Sequence, residues 1–162
     1  MWNNNNEFLL LLTLILISSI FLRGISYFSQ SLDLNYLKYA VPISFVGVVS
    51  AVLLNLRATL ILSLSSSLLA LAGGGNIGLV AMGAVLTVVP SIFLSEDIDR
   101  ITLRQRIIYM TLSQPVVAFG IFIFLRENFS FVEIFVSSLL GGLVGNLAAF
   151  SLINYIELAF RL

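Results

Sequence analysis

Eight acidic and eight basic residues are the only charges in 162 positions, and cysteine and histidine are both absent. The acids cluster once, at Glu96, Asp97 and Asp99. Three oxygen-bearing side chains so close together could hold a divalent cation. Their alternation with Arg100, Arg104 and Arg106 favours a solvated, self-neutralising loop with a basic inner patch instead. Without histidine the chain lacks the commonest metal ligand and the usual base at neutral pH. Without cysteine it has no disulfides, no thiolate metal sites and no lipidation on sulfur. No nucleophile, base and oxyanion donor fall into a catalytic pattern. The expectation is a protein that is not itself an enzyme and that takes no cofactor or metal. A net charge of zero supplies no field to attract nucleic acid.

The other chemistry-bearing residues are scattered through apolar sequence. Arg23 lies near one end of the first apolar run, where it can snorkel to the interface or pair with Glu133 or Glu127. Glu157 closes the last run at the depth of Arg57 and the Arg100–Arg106 loop, a place for an ion pair. Ser137, Gly141, Gly145 and Ala149 recur every four residues, and Gly142 and Ala148 widen that stripe. Small residues at this spacing let helix backbones approach closely in lipid, so the stripe marks a packing face within the chain or a dimer face. Ser63, Ser66 and Ser67, followed by Gly73, Gly74, Gly75 and Asn76, form a short polar, glycine-interrupted stretch. Such a stretch either lines a cavity as a discontinuous helix or ends a short span with a glycine cap.

The elements that must position these residues are set by the solvent. Hydrophobic residues make up 59% of the chain and charged residues 10%, with a mean hydropathy of +1.08. Apolar runs cover 8–28, 37–56, 58–72, 77–94, 107–125 and 131–156. Most have the roughly 17–25 residues needed to cross about 30 Å of hydrocarbon as an α-helix. They do not alternate apolar with polar, as barrel strands would. The sequence therefore predicts an all-α, polytopic membrane helix bundle of about six spans. It comprises a polar lead-in at 1–7 and one transmembrane domain at 8–162. The third run is short, and a re-entrant path there would change the parity of the crossings. No signal peptide is expected, because residues 1–7 carry no positive charge and the first run is too long.

With six spans, Arg57, Arg100, Arg104, Arg106 and Arg161 share one side, and Arg23, Lys38 and Arg126 share the other. Positive residues favour the inner side, so both termini are expected in the cytoplasm of a multi-pass protein of the cell (inner) membrane. Pro42, Pro90 and Pro115 should each kink or start a helix. Asn55, Gln114, Asn146 and Asn154 are expected to bond between helices, with Gln114 placed to answer a carbonyl freed by Pro115.

Several short segments resemble the membrane domain of the bacterial seven-transmembrane HD-type phosphohydrolases. Tyr39-Ala40-Val41-Pro42-Ile43 is similar to that family's entry into a span, and Leu54-Asn55-Leu56-Arg57-Ala58 to its short basic inner turn. Arg104-Gln105-Arg106 resembles its basic inner loop. Gly141-Gly142 with Gly145, then Tyr155-Ile156-Glu157 and Phe160, resembles the close of its last span. The resemblance runs from about Phe8 to the end of the chain. Asn154 stands where the family has proline, and the first family span, the extracellular region and the HD domain are not matched. The resemblance implies a helical membrane module, a cytoplasmic C-terminus and a link to cyclic di-AMP signalling. No catalytic residue carries over, because the HD signature needs His and Asp.

Three readings follow. The chain is a sensory or anchoring module that couples a membrane or outside signal to a cytoplasmic HD-type enzyme. Alternatively it is a substrate-binding subunit of a small-molecule, vitamin-type transporter, or a membrane scaffold. The lipid bilayer is its first partner in all three, and a second copy through the last span is a further one.

Overall fold

The computed structural model describes residues 5–72, 77–94, 100–126 and 130–160. They form six α-helices: α1 (Asn5–Ser31), α2 (Ser44–Leu53), α3 (Leu56–Ala72), α4 (Ile77–Phe93), α5 (Arg100–Leu125) and α6 (Phe131–Phe160). A 3-10 segment (Asn35–Ala40) precedes α2. No strand occurs among the described residues, and the fold is an all-α helical bundle. Four stretches, 5–31, 36–53, 105–125 and 131–160, are long and apolar enough to cross a membrane. The helices α3 and α4 are apolar but shorter, at 17 residues each.

Local chemistry sets the element boundaries. At the end of α1, Leu34 N–H donates to Ser29 O at 3.1 Å and Asp33 N–H to Gln30 O at 3.4 Å. Asp33 has φ 54°, so the helix closes on a left-handed residue in a Schellman arrangement. Asn55 Oδ1 accepts from Ala58 N–H at 2.9 Å and caps α3. Glu133 Oε2 accepts from Ser130 N–H at 3.1 Å, the reciprocal half of a capping box that starts α6. Phe131 lies 4.3 Å, centroid to centroid, from Phe119 of α5 and 6.2 Å from Phe135, which clasps the α5–α6 hairpin.

The 37–56 run, expected as one span, is not one helix. Proline cannot donate into an α-helical ladder. The chain accordingly passes from the 3-10 segment through Val41 and Pro42 into a ten-residue α2. This broken element is the most enclosed of the spans: every residue from Ser44 to Ser50 is buried. A helix that is apolar all round belongs inside a bundle. Here α1, α3, α4 and α6 surround α2, and α3–α4 and α5–α6 pack as hairpins.

The core divides into two apolar layers. One gathers Leu10, Leu14, Val46, Val49, Leu62 and Met110. The other gathers Leu22, Tyr39, Ile43, Met82, Leu86 and Ile134. The exterior is apolar as well, with Phe124 84% exposed and Ile123 and Val116 each 70% exposed. Such a surface would be untenable over so wide an area in water and is ordinary against acyl chains.

Candidate functional site

Between the two apolar layers runs a level of buried polar side chains, to which every helix contributes. Ser18 follows Leu14 and precedes Leu22 on α1, and Ser44 opens α2. Thr87 follows Leu86 on α4. Thr111 and Gln114 follow Met110 on α5. Ser137, Ser138 and Asn146 separate Ile134 from Ala149 on α6. Ser63 and Ser66 adjoin Leu62 on α3. Most of the hydroxyls answer their own helix: Ser18 to Ile15 O at 2.9 Å, Ser138 to Ile134 O at 2.6 Å, and Thr87 to Gly83 O. These bonds are internal to a helix and leave its neighbours free to slide.

Three bonds in this level cross between elements, one of them from Ser63 on α3 to Ala84 O on α4 and two from amides. Gln114 Nε2 donates to Val41 O at 3.0 Å, and Asn146 Nδ2 donates to Thr111 Oγ1 at 2.9 Å. The carbonyl that Gln114 answers therefore belongs to the break before Pro42, and not to the turn freed by Pro115. Three buried atoms in the same seam have no partner: Ser44 Oγ, Gln114 Oε1 and Asn146 Oδ1. A buried acceptor left without a donor costs about 1–3 kcal/mol, and lipid offers no water to repair it.

Each proline in the bundle is met by a glycine of a neighbouring element. A Cβ on Gly47 would lie 2.9 Å from Pro90 Cγ and 2.8 Å from Leu86 O, the carbonyl whose helical donor Pro90 lacks. A Cβ on Gly142 would lie 3.2 Å from Thr111 O, the carbonyl freed by Pro115. On Gly145 it would lie 3.0 Å from Pro42 O and collide with Ser44 Oγ. On Gly141 it would lie 2.7 Å from Ala40 C and 2.8 Å from Gln114 Nε2. Only a missing side chain lets α6 lie this close to the broken span and to α5.

The small-residue stripe thus falls against the chain's own α2 entry and α5. Ser137, Gly141, Gly142, Gly145 and Ala149 are all buried. The stretch of serines is placed differently. Ser63 Oγ donates to Ala84 O of α4 at 2.8 Å, Ser66 Oγ to Leu62 O at 2.6 Å, and Ser67 Oγ to Ser63 O at 2.7 Å. Their hydroxyls tie α3 to α4 and to itself. Gly73, Gly74, Gly75 and Asn76 lie outside the described residues, as do Glu96, Asp97, Asp99 and Glu127 and the side chains of Arg100 and Arg104.

The three candidate ion-pair residues are far from acting together. Arg23, Glu133 and Glu157 are exposed, and among the described residues no salt bridge joins them. Glu133 serves as a helix cap instead. Arg106 precedes Ile107, one of the residues that line an apolar groove of about 500 Å³ between α5 and α6 together with Ile108, Leu112, Leu143 and Leu147. Asn55 caps a helix and Asn154 is exposed, so of the four expected interhelical amides only Gln114 and Asn146 make that bond. Sequence reading missed Ser44 and Thr111, and it read Lys38 as a charge of the outer side without its burial. Lys38 is 5% exposed, with Nζ 5.4 Å from the centroid of the Tyr39 ring. The proximity of Ser44 to Pro42 was the one available signal.

Fold and site together define a helical bundle suited to a membrane, with a polar level at mid-height. No family model, no curated protein and no solved structure matches the chain.

Proposed function

We propose that the chain is an integral membrane sensory or anchoring module, in which α6 passes a membrane or outside signal to a cytoplasmic partner. The carrying observation is the fit of α6. It is the longest helix, at 30 residues, and its glycines rest directly on the broken span and on the turn freed by Pro115. A rise of about 1.5 Å per residue makes α6 about 45 Å long, well beyond a hydrocarbon core of about 30 Å. Any displacement of the 39–45 stretch is thereby felt at a helix that reaches out of the membrane. Transmission needs two arrangements of the bundle with different affinities for the signal. Hydroxyls bonded within α1, α4 and α6 leave such a shift open, Ser63 keeps α3 tied to α4, and the two amide bonds define the state to be left. The resemblance of Tyr39–Ile43, Arg104–Arg106 and Gly141–Glu157 to the HD-type family supports a cytoplasmic cyclic di-AMP phosphohydrolase as the partner. It also supports a cytoplasmic C-terminus in the inner membrane, and the positive charges of the loops support a cytoplasmic N-terminus.

The test is co-reconstitution in liposomes with the HD-type phosphohydrolase of the same cell. Cyclic di-AMP hydrolysis should change when the chain is present, and Gly145→Ala should shift that change. Equal hydrolysis with and without the chain, together with no co-purification of the two proteins, would sink the proposal.

A further inference from the structure

We propose that the seam holding the unpartnered Ser44 Oγ, Gln114 Oε1 and Asn146 Oδ1 binds a desolvated monovalent metal cation. The three residues are 3%, 0% and 0% exposed. They come together on α6: Ser44 Oγ lies against Gly145, the Gln114 amide against Gly141 and Gly142, and Asn146 follows Gly145 directly. From Gly141 to Asn146 the set spans about 7.5 Å of helix, at about 1.5 Å per residue.

The polarity of the free atoms identifies the ligand class. Each amide has already committed its nitrogen, Gln114 to Val41 O and Asn146 to Thr111 Oγ1. At Gln114 this fixes the free atom as a carbonyl-type oxygen, which accepts and cannot donate, because Val41 O can only accept; Asn146 offers the same atom when its nitrogen faces the Thr111 hydroxyl. Only the Ser44 hydroxyl can do both. Acceptors facing one seam call for positive charge. No carboxylate belongs to this polar level, and among the described residues no group of three His, Cys, Asp or Glu could hold a metal. Divalent ions draw on carboxylates, whereas neutral oxygen dipoles suit an alkali ion, as in carbonyl-lined channel filters. Lys38, one 3-10 turn before Val41, adds a further reason for single charge.

The backbone supports the same assignment. Between Ala40 and Ile43 the chain is not α-helical. Val41 O accepts from Gln114 and Pro42 O from Phe45 N–H at 3.2 Å, each with a second lone pair to offer, while Ile43 O accepts from Val46 N–H at 3.0 Å. Ala40 O and Pro42 O face Gly141 and Gly145 at the same seam. Broken helices at mid-membrane are where unwound carbonyls and polar side chains meet ions. The site stands independently of the signalling proposal, since it needs no partner protein.

The test uses the full chain in detergent micelles. Its unfolding is followed by circular dichroism in lithium, sodium, potassium or rubidium chloride against choline chloride at matched ionic strength. One alkali ion should stabilise the fold saturably. At 100 times its dissociation constant, the unfolding equilibrium constant should fall about 100-fold. Ser44→Ala should keep the helical spectrum in choline chloride and lose most of that shift. Asn146→Asp should bring saturation at lower ion concentration. A wild-type chain indifferent to all four ions would overturn the proposal and leave the seam to water. An undiminished shift in Ser44→Ala would overturn it too.

Discussion

Replacing Gly141 with alanine adds one methyl group where α6 rests on the broken span, and the geometry fixes its sign. The new Cβ would sit 2.7 Å from Ala40 C and 2.8 Å from Ala40 O. Ordinary contact begins at 3.4 Å, so the two elements must part by roughly 0.7 Å. Two of the three obstructing atoms are backbone and cannot rotate away, and the third is Gln114 Nε2. Overpacking of this kind costs about 1–3 kcal/mol. Alanine returns about 1 kcal/mol through its better helix propensity. The rigid neighbour puts the cost at the upper end, for a net loss of about 2 kcal/mol. Gly120 supplies the control, because a Cβ there meets nothing within 4 Å. Gly120→Ala should stabilise by up to about 1 kcal/mol. The two variants should therefore differ by about 3 kcal/mol, more than 100-fold in the unfolding constant. Denaturant titration in micelles, read by circular dichroism, measures both. If Gly141→Ala proves as stable as Gly120→Ala, the close approach of α6 to the 40–45 stretch is wrong.

Asn55→Ala removes the cap of α3 and should cost about 1 kcal/mol, whereas Asn55→Asp should retain most of that stability; both are read by the same titration. A double-mutant cycle of Thr111→Val and Asn146→Leu should return a coupling energy of about 0.6–1.7 kcal/mol, because the two side chains share one interhelical bond. A coupling indistinguishable from zero would separate α5 from α6 at that level.

Where the sequence is informative, one rule is at work: lipid leaves every backbone group to be satisfied inside its own segment. That rule makes the helices legible: α1, α3, α4 and α6 lie within four residues of the expected runs, whereas α5 starts seven residues before its run. The stripe at Gly141 and Gly145 was legible for the same reason, since small residues at that spacing have few uses besides close packing. The break at Pro42 was legible as a kink or a start, but its partner was not. Gln114 lies 73 residues from Val41, and nothing in a single sequence pairs them. Asn55 and Glu133 were misjudged because a polar residue at a membrane edge and a helix cap look alike until the turn is seen. The seam itself was hidden, because Ser44, Thr111 and Asn146 are unremarkable polar residues until three helices bring them level.

The unequal heights of the helices shape the membrane around the protein. The α3–α4 hairpin offers 17 residues per helix, about 25 Å, while α1 offers 27 residues, about 40 Å. Its outer face, with Leu64, Leu68 and Ile77, must still be wetted by lipid tails. A bilayer meeting this hairpin would be drawn thinner there than beside α1, at a fraction of a kcal/mol for each ångström of mismatch. Set in a membrane, the bundle would thus impose a thickness gradient on the lipid around it.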